Sequence, residues 1–455
     1  MEKNYEERMG SAPVGGLVMS MAMPAVVAQI VNLLYNIVDR IYIGHIPDIG
    51  TNALAGVGIC NTLIILITAF AMFTGGGGAP LASMALGRGD REGAERMLGN
   101  GVMLDIIFSV GLITVIGIFM RPILMKTGGS LNTIGYAVSY MSIYLIGTFF
   151  VMVSTGITMF INAQGQAGRS MFSTVIGAVA NIVLDPIFIF VFGMGVRGAA
   201  IATVISQAIS AFYVLHFLTS DKASLRLRRK AMRPDGATIR KMMALGVSPF
   251  VMASTESVIG FVLNGSLVVY GDIYVSALAI EQSCMQFIGV PLNGFAQGCT
   301  PVISYNFGAR KNERVKDAVK IMAIVNLVYS VILVALMMIF PTVWAHIFTR
   351  DAVLIETVQK TLPTFVVGMS IFGLQRAFQD TFVALGEAKI SVFIAFLRKI
   401  FLLVPLALIL PHFMGVMGVF RAEAIADTTA ATCCCIIFAI RFPKILKNNQ
   451  VHASL

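Results

Sequence analysis

Charge is what this sequence holds least of. Asp, Glu, Lys and Arg make up 12% of its 455 residues, while 57% are hydrophobic. A soluble chain usually carries about 25% charged residues, and one this apolar could not cover its surface with polar groups. Site chemistry is sparse as well. No His-Glu-x-x-His string occurs, and His45, His216, His346, His412 and His452 fall near the ends of apolar runs or in loops. Tyr270-Gly271-Asp272 is too short and too near a run's end to serve as half of an aspartyl-protease pair. Both absences argue against an intramembrane enzyme. The cysteines (Cys60, Cys284, Cys299 and Cys433–Cys435) lie inside apolar runs, with no C-x-x-C pair beside a second pair or histidines. They read as small packing residues rather than a disulfide or metal framework. No Lys-Ser/Thr follows the Gly75–Gly78 run, so it reads as a helix end or a close helix crossing, not a phosphate loop. Residues 1–16 carry Glu2, Glu6 and Glu7 and lack a short apolar core, which predicts a cytoplasmic N-terminal tail and no cleavable signal peptide.

What the chain has is long apolar runs. A transmembrane helix needs about 20 mostly apolar residues. Twelve such runs occur, near 17–43, 53–75, 98–120, 134–161, 170–192, 197–218, 242–269, 276–300, 317–343, 357–384, 390–410 and 416–440. They are continuous rather than alternating, which favours helices over barrel strands. Only the Gly193–Gly198 turn separates the fifth run from the sixth, so a count of eleven is the alternative. The net charge of +10 is concentrated. Segment 219–241 holds eight Lys/Arg and segment 308–320 five; Arg88, Arg91 and Arg96, and Arg441, Lys444 and Lys447, fall on the same side when twelve spans are threaded. The positive-inside rule then places both termini and the long central loop in the cytoplasm. This distribution fits a membrane topology and not nucleic-acid binding.

The chain also repeats itself. Pro80-x-x-Ser83-x-x-x-Gly87 returns as Pro301-x-x-Ser304-x-x-x-Gly308, and Ala163-x-Gly165-x-Ala167-x-x-Ser170-x-Phe172 as Ala384-x-Gly386-x-Ala388-x-x-Ser391-x-Phe393, both 221 residues on. Ala53-Leu54-Ala55 matches Ala277-Leu278-Ala279, and Gly195-x-x-Gly198 matches Gly415-x-x-Gly418. Six spans per half return the chain to its starting side, so the halves share an orientation about a pseudo-two-fold axis along the membrane normal. The expected class is an all-α polytopic membrane protein: N-lobe 17–218, basic linker 219–241, C-lobe 242–440 and cytoplasmic tail 441–455. Such an architecture places a substrate cavity between the lobes. The 27 methionines suit a cavity that accepts many shapes, though most serve as ordinary helix packing.

Asn181-Ile182-Val183-Leu184-Asp185-Pro186 resembles a signature of the MATE (multidrug and toxic compound extrusion) family. So do Pro291-Leu292-Asn293-Gly294 through Asn306-Phe307-Gly308-Ala309, Asn36-Ile37-Val38-Asp39 with Gly44, and the Ala384-Leu385-Gly386 turn. The resemblance covers both halves and is nearest to the bacterial multidrug-exporter branch. It implies a monomer in the bacterial cytoplasmic (inner) membrane, with no cofactor. It also implies antiport of organic cations or amphipathic drugs against H+ or Na+, with Asp39, Asp185, Asn181 and Thr203 as the N-lobe cation site. Asn162 is a further candidate oxygen ligand, and Asp39, Asp185 and Asn181 are the place for Na+ if Na+ rather than H+ is the coupling ion. Physical reasoning points the same way: an ionised carboxylate near the bilayer centre costs on the order of 2.5–3.5 kcal/mol on insertion scales, so such a group is functional by default. Glu256, Glu281 and Arg398 are candidates for the substrate cavity, with Arg398 alternatively neutralising a carboxylate between helices. Asp105 is expected to be structural. The competing transporter reading is a lipid-linked precursor flippase of the same superfamily.

Overall fold

The computed structural model describes residues 2–451, with the side chains of all but 2–6, 256–258, 261 and 451. Every regular element among them is helical. Span 1 is Val14–Gly44, span 2 Gly50–Gly87 and span 3 Arg91–Lys126, and span 4 is the bent pair Ile134–Ile146 and Thr148–Ala163. Span 5 is Ala167–Val191, span 6 Val196–Thr219, span 8 Asp272–Gly308 and span 9 Asn312–Ile339. Span 11 is Ala388–Met414 and span 12 Val416–Gln450. By length and hydropathy, nine described helices can cross a membrane, or ten with span 4 counted once. Span 7 (Gly236–Val268) and the interrupted span 10 (Ala352–Val366 and Phe372–Ala384) complete the twelve. The fifth and sixth runs are separate helices, turned at Gly193 and Gly195.

Span 2 does not end at its glycine run. It continues to Gly87, and the run is a close crossing: a Cβ on Gly75 would overlap the Gly156 backbone of span 4, and one on Gly77 the span 7 backbone around Gly246. Without side chains, helices approach until backbones touch, the packing mode that replaces hydrophobic collapse in lipid.

The internal repeat is visible in the backbone. Gly165 and Gly386 have φ of 84° and 78°, and Gly195 and Gly415 have φ of 56° and 59°. An L-residue is strained in that region, so glycine recurs there. Span 2 packs on span 7, and span 8 packs on span 1, which is the same contact made twice by exchanging lobes. At one end the symmetry tightens. A Cβ on Gly87 would overlap the carbonyl of Tyr305, one on Gly308 would overlap that of Met84, and Ser83 Oγ donates to the Pro301 carbonyl at 3.0 Å.

Both ends of the described residues gather at this closed end. A helix at Glu2–Ser11 is pinned to it, with Lys311 Nζ donating to the Gly10 carbonyl at 2.8 Å and an Arg314 amine to that of Ala12 at 2.7 Å. Asn312 holds the Leu446 carbonyl at 2.7 Å. The basic linker is a strap across the N-lobe. Asn100 Oδ1 accepts from the Asp235 backbone N–H at 3.0 Å, Gln164 Oε1 from that of Leu225 at 3.0 Å, and Arg228 pairs with Glu95 at 3.1 Å. Asp235 then caps span 7. The Thr238 hydroxyl holds its carboxyl below the usual range.

Candidate cation site and central cavity

Span 5 builds the first part of the site. Asp185 precedes Pro186, which lacks an N–H to continue the helical ladder, and Ile187–Val191 widen into a π-helical turn. Such turns recur at functional sites. Asn181 lies one turn earlier on the same face and donates from Nδ2 to Asp185 Oδ1 at 3.2 Å. Span 1 packs along span 5 and brings Asp39 beside Asp185. Asp185 is fully buried. Asp39 Oδ1, Asp185 Oδ2 and Asn181 Oδ1 are buried oxygens that accept no hydrogen bond from the protein. An all-oxygen set of this kind suits a proton or a small hard cation. Among the described residues, no group of three or more His, Cys, Asp or Glu is placed to hold a metal ion.

Two tyrosines border the acids, and sequence reasoning did not single them out. Tyr140 lies beside Thr203 and Asp39, while Tyr35 lies beside Gln207 and near both acids. Nothing distinguishes such a tyrosine from a packing aromatic in an apolar run. Thr203 donates to the Ala199 carbonyl at 3.0 Å. Thus Asp39, Asp185, Asn181 and Thr203 converge on one corner of the N-lobe. Asn162 stands on the wall between two cavities, with its buried Oδ1 accepting no hydrogen bond.

The larger cavity lies between the lobes and holds about 700 Å³, a volume ordinary for a drug-sized ligand. Met72, Met159, Met252, Met285 and Met369 line it. Its N-lobe wall is uncharged, with Gln29, Asn61, Thr62 and Asn162 as polar groups, whereas the C-lobe wall carries Arg376, Asp380, Arg398, Lys399 and Glu423. The smaller cavity, about 130 Å³, lies inside the N-lobe and is lined by Tyr35, Asn181, Thr203, Ser206 and Gln207 among others.

The C-lobe charges are paired. Arg376 Nε meets Asp380 Oδ2 at 2.7 Å. Arg398 reaches Asp427 at 2.5 Å and Glu423 at 3.6 Å, and its guanidinium lies 4.4 Å from the Phe372 ring centroid. Arg398 therefore both lines the cavity and joins the carboxylates of span 12. Glu281 does not line the cavity. It is fully buried, takes a hydrogen bond from the Thr361 hydroxyl and packs toward span 10, while its neighbour Gln282 turns to the cavity. One residue of helical rotation separates the two faces. Asp105 likewise takes a hydrogen bond from Thr74 Oγ1 at 2.6 Å inside the N-lobe. The Glu256 side chain lies outside the described residues.

Known proteins place these features. The MatE family model matches residues 24–187 and again 250–409, one match per lobe. The chain is 24% identical over 431 residues to the multidrug export protein MepA of Staphylococcus aureus (strain MRSA252), covering 94% of each. It is 23% identical to MepA of Staphylococcus haemolyticus, over 91% of this chain and 90% of that one. Among solved structures, MATE in its bent conformation superimposes with a TM-score of 0.91 at 22% identity, covering 98% and 99% of the two chains. An outward-facing multidrug-resistance MATE transporter of the MOP superfamily gives 0.88 at 23% identity over 96% and 99%. With both lobes matched by one family model, this chain is a membrane transporter of the MatE family.

Proposed function

We propose that this transporter is a cation-coupled antiporter that exports cationic or amphipathic drugs by alternating access. The observation that carries the reading is the facing pair Asp39 and Asp185, deep in the N-lobe and apart from the large inter-lobe cavity. Two buried carboxyl groups side by side cannot both hold charge without a cation between them. A shared proton satisfies them, and so does Na+ held by their oxygens and Asn181. Exchange of that cation changes the packing of span 1 on span 5, while drug occupies the cavity between the lobes. Each ligand then favours a different lobe arrangement, and linkage requires drug to weaken cation binding as much as cation weakens drug. The likeness to proteins named multidrug export proteins supports the substrate class. Under this reading the positive-inside rule puts the closed end, with its basic linker, in the cytoplasm, and the arrangement is outward-facing in the cytoplasmic membrane. The reading expects a monomer. The test is ethidium efflux from proteoliposomes with a pH gradient or a Na+ gradient imposed separately. Drive by one gradient alone supports antiport and identifies its ion. A response to neither, with movement of a spin-labelled lipid precursor, replaces this reading with the flippase.

A further inference from the structure

The two cavities adjoin, since Gln29, Met72, Met159, Asn162 and Gln297 line both. Of the described residues lining the N-lobe chamber, Gln297 alone comes from the C-lobe. It reaches across the lobe interface: Gln29 Nε2 of span 1 donates to Gln297 Oε1 of span 8 at 3.0 Å. Both side chains are half-buried. Beyond them the chamber wall continues through Asn32 and Tyr35 on span 1 and Asn181 on span 5. Asp39 and Asp185 follow Tyr35 and Asn181 by one helical turn each on the same faces.

We propose that the Gln29–Gln297 pair is the gate between the drug cavity and the ion chamber. The bond joins one residue from each lobe, so it exists only in lobe arrangements that hold span 1 against span 8. When it forms, two amides and the side chains of Met72 and Met159 stand between the central cavity and the route to Asp39 and Asp185. When the lobes move it parts, and two uncharged amides lining the opening give a hydrated cation hydrogen-bonding partners without trapping it. A carboxylate there would hold the ion, and an apolar pair would exclude it. The pair thus ties ion access to lobe position, a requirement that the carboxyl pair alone does not meet. This inference rests on the N-lobe acids being the ion site.

The test separates the gate from that reading. Ser206, which lines the chamber from span 6, is replaced by Cys, and its modification by a small cationic methanethiosulfonate is followed by peptide mass spectrometry. The measurement needs no ion gradient. Gln29→Ala and Gln297→Ala each remove the cross-lobe bond, and labelling should accelerate by about fivefold, the worth of one net hydrogen bond. Gln29→Glu with Gln297→Arg restores a cross-lobe bond and should bring labelling back to the parent rate or below. Cation flux in the absence of drug should rise in the two alanine variants and fall in the charged pair. Equal labelling rates in all four proteins overturn the gate. A parent transporter that responds to no cation gradient overturns the antiport reading, while the labelling series still decides whether the amides control the chamber.

Discussion

The two lobes share a backbone plan, and the acids nearest their cavities are held in different ways. In the N-lobe, Asp185 is held by the amide of Asn181, Asp105 by the hydroxyl of Thr74, and Asp39 faces Asp185. In the C-lobe, the acids beside the cavity are paired with arginine, Asp380 with Arg376, and Asp427 and Glu423 with Arg398, while Glu281, held by the Thr361 hydroxyl, is buried away from the cavity. A carboxylate already paired with arginine has no use for a second cation. One bonded only to neutral donors still needs a proton or a metal ion. Under the proposed antiport, the facing pair Asp39 and Asp185 is the place for ion exchange, and the arginine-paired acids beside the central cavity give the C-lobe a charged wall. Asp185→Asn is the sharpest way to break the comparison. It should abolish gradient-driven ethidium efflux, leaving a folded protein that still binds ethidium in a fluorescence titration. Uphill export by a well-expressed variant would remove Asp185 from the coupling site.

The C-lobe prediction is one of stability. Arg398→Met leaves Asp427 buried without its cation, and breaking a buried pair from one side costs about 3–5 kcal/mol. The thermal midpoint in detergent should fall well below that of the parent. Arg398→Met with Asp427→Leu should recover most of the loss, because an apolar pair of similar volume needs no partner. A single variant as stable as the parent would mean that the guanidinium is held for the substrate rather than for Asp427.

The lobe plan was legible before any coordinates because its turns need glycine. The pairs Gly165/Gly386 and Gly195/Gly415 occupy left-handed backbone, so the repeat survives in the letters. Asp39 and Asp185 were legible because an acid in an apolar run is costly. Tyr35, Tyr140 and the Gln29–Gln297 pair were not, since a tyrosine or glutamine in a span carries no sign of what lies across from it. Glu281 and Gln282 show the same limit. Adjacent letters face a helix core and a cavity, and only the rotation of span 8 decides which.

The closed end tests the symmetry itself. Gly87→Ala drives a Cβ into the Tyr305 carbonyl, and Gly308→Ala drives one into that of Met84. Overpacking costs about 1–3 kcal/mol, enough to shift the lobe equilibrium about tenfold away from this closure. Distances between spin labels at Asp90 and Lys316 should lengthen in both variants, and by similar amounts. A shift in one variant alone would show that the two halves of this contact are unequal despite their matching geometry.

The smallest effect sits two residues further on, where a glycine of one lobe matches an arginine of the other. Gly89 and Arg310 lie 221 residues apart and end spans 2 and 8 in the same left-handed conformation, at φ of 77° and 60°. The following amides close the same bond: Asp90 N–H to the Ala85 carbonyl at 2.9 Å and Lys311 N–H to that of Asn306 at 2.8 Å. An arginine there pays a steric penalty of about 1–2 kcal/mol that glycine avoids, partly offset by the greater freedom of glycine in the open state. Arg310→Gly should therefore slow hydrogen exchange of the Lys311 amide by no more than about tenfold, and Gly89→Ala should speed that of Asp90. The C-lobe turn also carries the docked N-terminal helix, held through Lys311 and Arg314. If Arg310→Gly leaves Lys311 exchange unchanged while Gly89→Ala speeds Asp90, the docked helix rather than the turn sets the opening of the C-lobe end, and the two lobes are stabilised there by different means.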